Sequence, residues 1–272
     1  MEEDEMGAGG WDSGRRWAAL VGAVFQVGAT VLAGTAISEV VSEGPPSPVE
    51  PAGYAFGVWA VIFFLSLLFA GYQALPANRG SEVLRRVGWP VVGAFACTGL
   101  WSVFVSMRQL GFAQAMLLGV FAFLLVAYLR LARSDPGALG RAERWLVSLI
   151  IGIFLGWVTA ANAVSLASEA VRRGPVDAGG SGEVLVGAVL LISGGLLAAA
   201  ITEAGRAGPP QAYAAFALTV LWALLAVVVA QYDASLVTAV AAVVAALPVL
   251  AVLLRGGRAR PRVRGANRPR VA

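Results

Sequence analysis

Apolar residues run along this chain in eight long, nearly uninterrupted stretches, near 17 to 41, 54 to 75, 88 to 107, 112 to 131, 145 to 168, 184 to 202, 213 to 232 and 234 to 254. Each approaches the ~20 residues that a helix needs to cross the hydrocarbon core of a bilayer. The pattern predicts an all-α fold, a polytopic transmembrane helical bundle with eight spans. Two of the connections are very short, at Met107-Arg108-Gln109-Leu110-Gly111 and at Tyr232-Asp233-Ala234. A helical hairpin held wholly within lipid would leave terminal amides and carbonyls unpaired, so both turns are expected to reach the headgroups.

Composition agrees with this pattern. Of 272 residues, 58% are apolar and 13% charged, and the mean hydropathy is +0.77, far outside soluble usage. No loop is long enough for an independent soluble domain, so any function sits among the helices.

The twenty basic residues are all Arg, and they are unevenly placed. With eight spans, only Arg108, Arg172 and Arg173 fall on one side. Arg15, Arg16, Arg79, Arg85, Arg86, Arg130, Arg133, Arg141, Arg144, Arg206 and the cluster from Arg255 to Arg270 fall on the other. Arg and Lys are retained on the cytoplasmic face, so both termini are expected in the cytoplasm, beneath a plasma or inner membrane. Seven or nine spans would part the N-terminal Arg pair from the C-terminal cluster.

The acidic start, MEEDEM, lacks the positive n-region and cleavage site of a signal peptide, so the first span is expected to stay as an anchor. Residues 1–16 read as a cytoplasmic tail. Residues 255–272, rich in Arg, Pro and Gly, read as a basic disordered tail that sets topology and meets the anionic headgroups of membrane lipids. No folded basic surface accompanies it, which argues against nucleic acid as a partner.

What the chain lacks narrows its chemistry. It has no His, and Cys97 is its only cysteine, so an intrachain disulfide, His-ligated haem and a Cys/His zinc site are excluded. No span carries an ionisable residue near its middle, where proton relays and ion-coupled pumps need one. Neither a nucleophile with its base nor a set of acidic metal ligands lies at membrane depth, so the chain is not expected to be an enzyme.

Aromatic residues sort by depth. Trp17, Tyr54, Tyr72, Trp89, Tyr128, Trp145, Tyr213 and Tyr232 fall at span ends, the interfacial belt. Trp59, Trp101, Trp157 and Trp222 fall inside, where an indole N–H wants an acceptor. At ~1.5 Å rise per residue, Trp59, Trp101 and Asn162 share one depth, about 7 to 8 Å below the outer surface. Phe56, Trp59, Phe63 and Ser66 share one face of the second span, a spacing that ordinary packing also produces.

Among the polar groups that enter the membrane are Gln26, Thr30, Thr98, Ser102, Gln114, Thr159, Ser165 and Thr219, expected to bond to neighbouring helices or to the carbonyl one turn earlier. Asn162 stands apart, because its amide offers more than a helix backbone can satisfy. It reads equally as interhelical glue and as a ligand contact. Gly152, Gly156 and Ala160 form a small-residue edge for close helix approach.

Three segments, PAGYAFGVWAVIFF (Pro51 to Phe64), GLWSVFVSM (Gly99 to Met107) and IFLGWVTAANAVSLA (Ile153 to Ala167), occur in an order and spacing that resembles the tryptophan-rich sensory protein family (TspO/MBR), the relatives of the translocator protein. The resemblance covers roughly residues 17 to 170. The family's Phe-Gly-Pro-Val-Trp-Thr type motif is matched by Phe56, Gly57 and Trp59, its helix-three Trp-Ser by Trp101 and Ser102, and the Asn ending helix five by Asn162. The motif's proline is absent, since Val58 follows Gly57 directly, and the family's helix-three Asn falls near Thr98. These departures mark a divergent branch. Residues 184–254 then add three helices to a five-helix family domain.

The resemblance implies a pocket between helices one, two, three and five that holds a large, flat, apolar ligand, porphyrin- or sterol-like, in a sensory, regulatory or translocation role. Tyr54, Phe56, Trp59, Phe63, Thr98, Trp101, Trp157 and Asn162 are the candidate ligand-binding residues, with a tetrapyrrole as the candidate bound group and no metal ligand required of the protein. A homo-oligomer stands as an alternative to a monomer. The run Val126-Ala127-Tyr128-Leu129-Arg130 fits a proposed cholesterol pattern, but a belt Tyr beside a topology Arg explains it. The alternative function is a small-solute transporter, with Pro248 in the eighth span and Ser193-Gly194-Gly195 in the sixth as gate elements.

Overall fold

A computed structural model describes residues 2–43, 47, 49–135, 137, 139–172 and 180–256. Its eight long helices are α1 (Glu2–Ser42), α2 (Val58–Ala74), α3 (Glu82–Ser106), α4 (Leu110–Ala132), α5 (Ser148–Arg172), α6 (Ser181–Gly205), α7 (Pro210–Gln231) and α8 (Leu236–Gly256). All eight are long and apolar enough to cross a membrane, as the hydrophobic pattern predicts. Arg173 and the tail beyond Gly256 lie outside the described residues.

Two helices begin earlier than the apolar runs suggest. The helix α1 starts at Glu2 rather than near Trp17, so Arg15 and Arg16 stand on a helix. Likewise α3 starts at Glu82, because the Ser81 side chain caps it by accepting the Leu84 N–H at 3.2 Å and Glu82 suits the positive end of the helix dipole. Arg85 and Arg86 therefore lie in its first turns, and Pro90 is carried within it. A 3₁₀ turn, Gly53–Gly57, leads into α2, and a π turn, Glu143–Val147, leads into α5.

Helix α1 packs on α2 and α3, α3 on α4, α4 on α5, and α5 on α2, closing a five-helix ring. The other side of α5 packs on α7 and α6, which pack on each other and on α8. Thus α5 belongs to both halves. Its small-residue edge explains how. A Cβ on Gly152 would stand 2.5 Å from the Ala212 carbonyl oxygen, and one on Gly156 would stand 2.7 Å from that of Phe216, both on α7. Gly195 on α6 meets α8 in the same way, with the Ala245 carbonyl oxygen 2.4 Å from a would-be Cβ.

Buried hydroxyls bond within their own helices, as expected. Those of Ser66, Thr98, Thr159 and Thr219 donate to the carbonyl one turn earlier at 2.7–2.8 Å. Thr30 and Ser102 bridge α1 to α3 at 2.7 Å.

Polar clamps close both ends of the ring. Where α1 begins, the fully buried Arg15 guanidinium donates to Gln73 of α2 and to the Leu84 carbonyl of α3 at 3.0 Å, and pairs with Asp12 at 3.4 Å. Asp12 also pairs with Arg85 at 2.6 Å. At the opposite end, Arg108 caps the α3–α4 turn with φ 57° and reaches both carboxylate oxygens of Glu43, one at 2.8 Å.

Two outcomes follow from this packing. Gly156→Leu should lower the Tm of detergent-solubilised protein by roughly 2–10 °C, as overpacking costs about 1–3 kcal/mol in a chain of this size. Gly34→Leu should not lower it, since nothing lies within 4 Å of a Cβ there. The second outcome concerns pH. The Arg108 guanidinium holds the Glu43 carboxyl below its ordinary value of 4.5, so the pair stabilises above that value and loses its contribution as pH falls through the depressed one. The Tm difference between the parent and Glu43→Gln should thus be largest near neutrality and shrink in acid, and a difference independent of pH would show that the pair contributes nothing.

Candidate functional site

Toward the end opposite the start of α1, the helices enclose a cavity of about 440 Å³, within the ~300–1,000 Å³ range of small-molecule sites. Phe56, Trp59, Trp101 and Trp157 form its aromatic wall. The indoles of Trp59 and Trp101 stack at 6.2 Å with an interplanar angle of 17°, and Trp157 meets Trp59 edge-on at 6.3 Å. Phe56 meets Trp157 edge-on at 5.5 Å, and Phe154 supports Trp59 at 5.9 Å. These are favourable aromatic geometries, and they bring α2, α3 and α5 together at one depth. The convergence of Trp59 and Trp101 is the arrangement that their equal distances from the span ends predict.

The other candidates fall elsewhere. Phe63 stands behind Trp59, 5.3 Å from its ring and outside the cavity wall. Tyr54 is half exposed and packs edge-on against Trp222 of α7 at 5.1 Å. Trp222 is itself 42% exposed, on the outer surface of the bundle and away from the cavity wall. Thr98 is spent on the Ala94 carbonyl.

Asn162 is also outside the wall, and both polar atoms of its amide are bonded within the protein. Its Nδ2 donates to the Val158 carbonyl at 2.9 Å and the Leu117 carbonyl at 3.4 Å, while Oδ1 accepts from Gln114 at 3.1 Å. Gln114 in turn accepts from Ser165. Of its two readings, the geometry gives Asn162 the interhelical one, clamping α4 to α5. Gln114 and Ser165, at the edge of that clamp, do line the cavity.

The wall is wider than helices one, two, three and five. Leu110, Ala113 and Leu117 add α4, Leu191 and Gly194 add α6, and Val220, Leu224 and Val227 add α7. Nothing in these residue types distinguishes them from ordinary span residues, so the sequence carries no signal for them. The roof is the chain between α1 and α2, through Ser47, Glu50 and Pro51. Helix α7 holds it: the Ala52 N–H donates to the Ala226 carbonyl at 3.0 Å, and the Gln231 side chain donates to the carbonyls of Ser47 and Glu50 at 3.4 and 3.2 Å.

The site is mainly apolar, and two of its lining residues hold a buried polar atom with no partner among the described residues: the Ser47 hydroxyl in the roof and the Trp157 indole in the wall. Trp157 is 3% exposed, and its Nε1 has no hydrogen-bond partner among the described residues. A buried donor left unpaired costs about 1–3 kcal/mol, a cost that an acceptor brought into the cavity would remove. Gln26, at the middle of α1, likewise has an unpartnered buried amide, but it does not line this cavity.

No curated protein and no solved structure matches the chain significantly. A family model described as TSPO-like protein matches residues 17–254, which takes in all eight spans rather than only the 17–170 segment that carries the motifs. With that match over most of its length and the aromatic motifs brought to one cavity, the chain belongs to the TSPO-like protein family.

Proposed function

We propose that this multi-pass membrane protein binds a large, flat, apolar ligand, porphyrin- or sterol-like, in the cavity walled by Trp59, Trp101 and Trp157, and that binding serves a sensory, regulatory or translocation role without catalysis. The observation that carries the reading is the three-indole wall itself, contributed by α2, α3 and α5 to a cavity of about 440 Å³. Aromatic faces supply burial and stacking, and a few polar groups fix orientation. The unpartnered Trp157 Nε1 adds a donor that a bound acceptor would satisfy.

In this reading the Arg-rich side faces the cytoplasm, so both termini lie there in a plasma or inner membrane, and the cavity opens toward the outer leaflet. The transporter alternative is weaker. Gly195, one of its gate elements, is accounted for by close packing against Ala245, and a kink at a proline such as Pro248 is common in inert bundles.

The test uses the dimethyl ester of protoporphyrin, which carries no free carboxylate. Added to the protein in a non-ionic detergent, it should quench Trp emission saturably. Losing one stacked indole, worth about 0.5–1.5 kcal/mol beyond burial, should raise Kd roughly 2- to 12-fold in Trp59→Phe and in Trp101→Phe. Trp145→Phe, half exposed at the opposite end of the bundle, should leave Kd unchanged. Equal Kd values in all four proteins, or no saturable quenching in the parent, would overturn the proposal.

A further inference from the structure

The chemistry of the cavity's charged residues deepens this reading and rests on it. Among the described residues that line the cavity, only Glu50 and Glu183 carry formal charge, and both are acidic. Glu50 sits in the roof, partly exposed. Its backbone is held by the Gln231 side chain and by its own N–H bond to the Ser47 carbonyl at 3.0 Å, which keeps Glu50 among the residues that line the cavity. Glu183, in the first turn of α6, is only 4% exposed. Trp59, Trp101 and Trp157 line the same cavity as these two residues.

We infer that this site selects an organic cation: a ligand with a flat aromatic or polycyclic body and an ammonium group directed toward Glu50. Two physical effects act in the same direction. In an apolar enclosure charge–charge interactions are poorly screened, so a carboxylate at the rim attracts a cation and repels an anion more strongly than it would in water. An indole face attracts a cation electrostatically as well, most strongly for a quaternary ammonium held among several rings. The same wall opposes a ligand that carries carboxylates of its own, so a tetrapyrrole with free acid side chains suits the cavity less well than its neutral ester.

The experiment compares three probes with one ring system: 9-methylanthracene, (9-anthrylmethyl)trimethylammonium and 9-anthracenecarboxylate. Each is titrated into the full-length protein in a non-ionic detergent, energy transfer from Trp is read, and protein-free micelles are subtracted. In the parent, the ammonium probe should bind about ten-fold more tightly than the neutral one and the carboxylate most weakly, with the preference declining in salt. Glu50→Gln should bring the Kd values of the ammonium and neutral probes together, and continued saturable binding of the neutral probe reports an intact fold. Glu50→Lys should reverse the order of the two charged probes.

Equal binding of the ammonium and neutral probes in the parent would overturn the cation assignment and leave the apolar-ligand reading standing. So would an ammonium preference that survives both substitutions, since the selectivity would then lie elsewhere. Saturable binding of none of the three would overturn the cavity reading itself.

Discussion

Everything in this bundle depends on α5 being packed on all sides at once. Lipid tails are as apolar as leucine, so helices in a membrane associate through close contact and polar satisfaction rather than by escaping water. One side of α5 solves the problem with absence: Gly152 and Gly156 let the α7 backbone approach to a distance that a methyl group would forbid. A second side solves it with an amide, Asn162, which bonds to Gln114 and Leu117 of α4 and to the Val158 carbonyl of its own helix. The third side presents Trp157 to the cavity. Because the three lie on one rigid helix, the spacing of the cavity walls is set by the close approach to α7 and the amide clamp to α4.

The ring has a second anchor, and it uses charge in an unusual place. Much of α1 faces outward, with Val24, Val31 and Leu32 exposed, yet its first arginine in the span turns inward. A buried guanidinium is costly unless its donors are met, and acceptors from α2, α3 and α1 itself meet its two terminal nitrogens, while Nε has no partner among the described residues. Gly88 makes room for it, since a Cβ there would stand 2.6 Å from the Arg15 Cδ. An arginine that topology rules place at the membrane surface thus also fastens the most exposed helix of the ring.

Much of this was legible in the sequence, and the limits have physical causes. Eight apolar runs and two tight turns yield eight helices, because length and hydropathy alone decide membrane crossing. Helix starts were less legible. Charged residues at the head of α3 resemble a loop until Ser81 is seen capping Leu84. Depth counting brings Trp59 and Trp101 together correctly, but depth is not direction. Asn162 shares their level and points to α4, so its angular position on α5 decides its role. The contributions of α6 and α7 to the cavity were illegible, as Val220 or Leu224 in a wall is chemically identical to the same residue facing lipid.

The bonds from Gln231 and Ala226 to the segment between α1 and α2 join positions separated by about two-thirds of the chain. Synthesis proceeds from the N-terminus, so the five-helix ring can assemble while α7 is still emerging. Its covering strap then has the Glu43–Arg108 pair but not the bonds to α7. The cavity is therefore completed late, by segments among the last to enter the bilayer, and a ribosome-bound chain halted after α5 possesses the indoles without the walls that α6 and α7 supply. The complete cavity, on this architecture, is a property of the finished polypeptide rather than of the segment that bears the family's motifs.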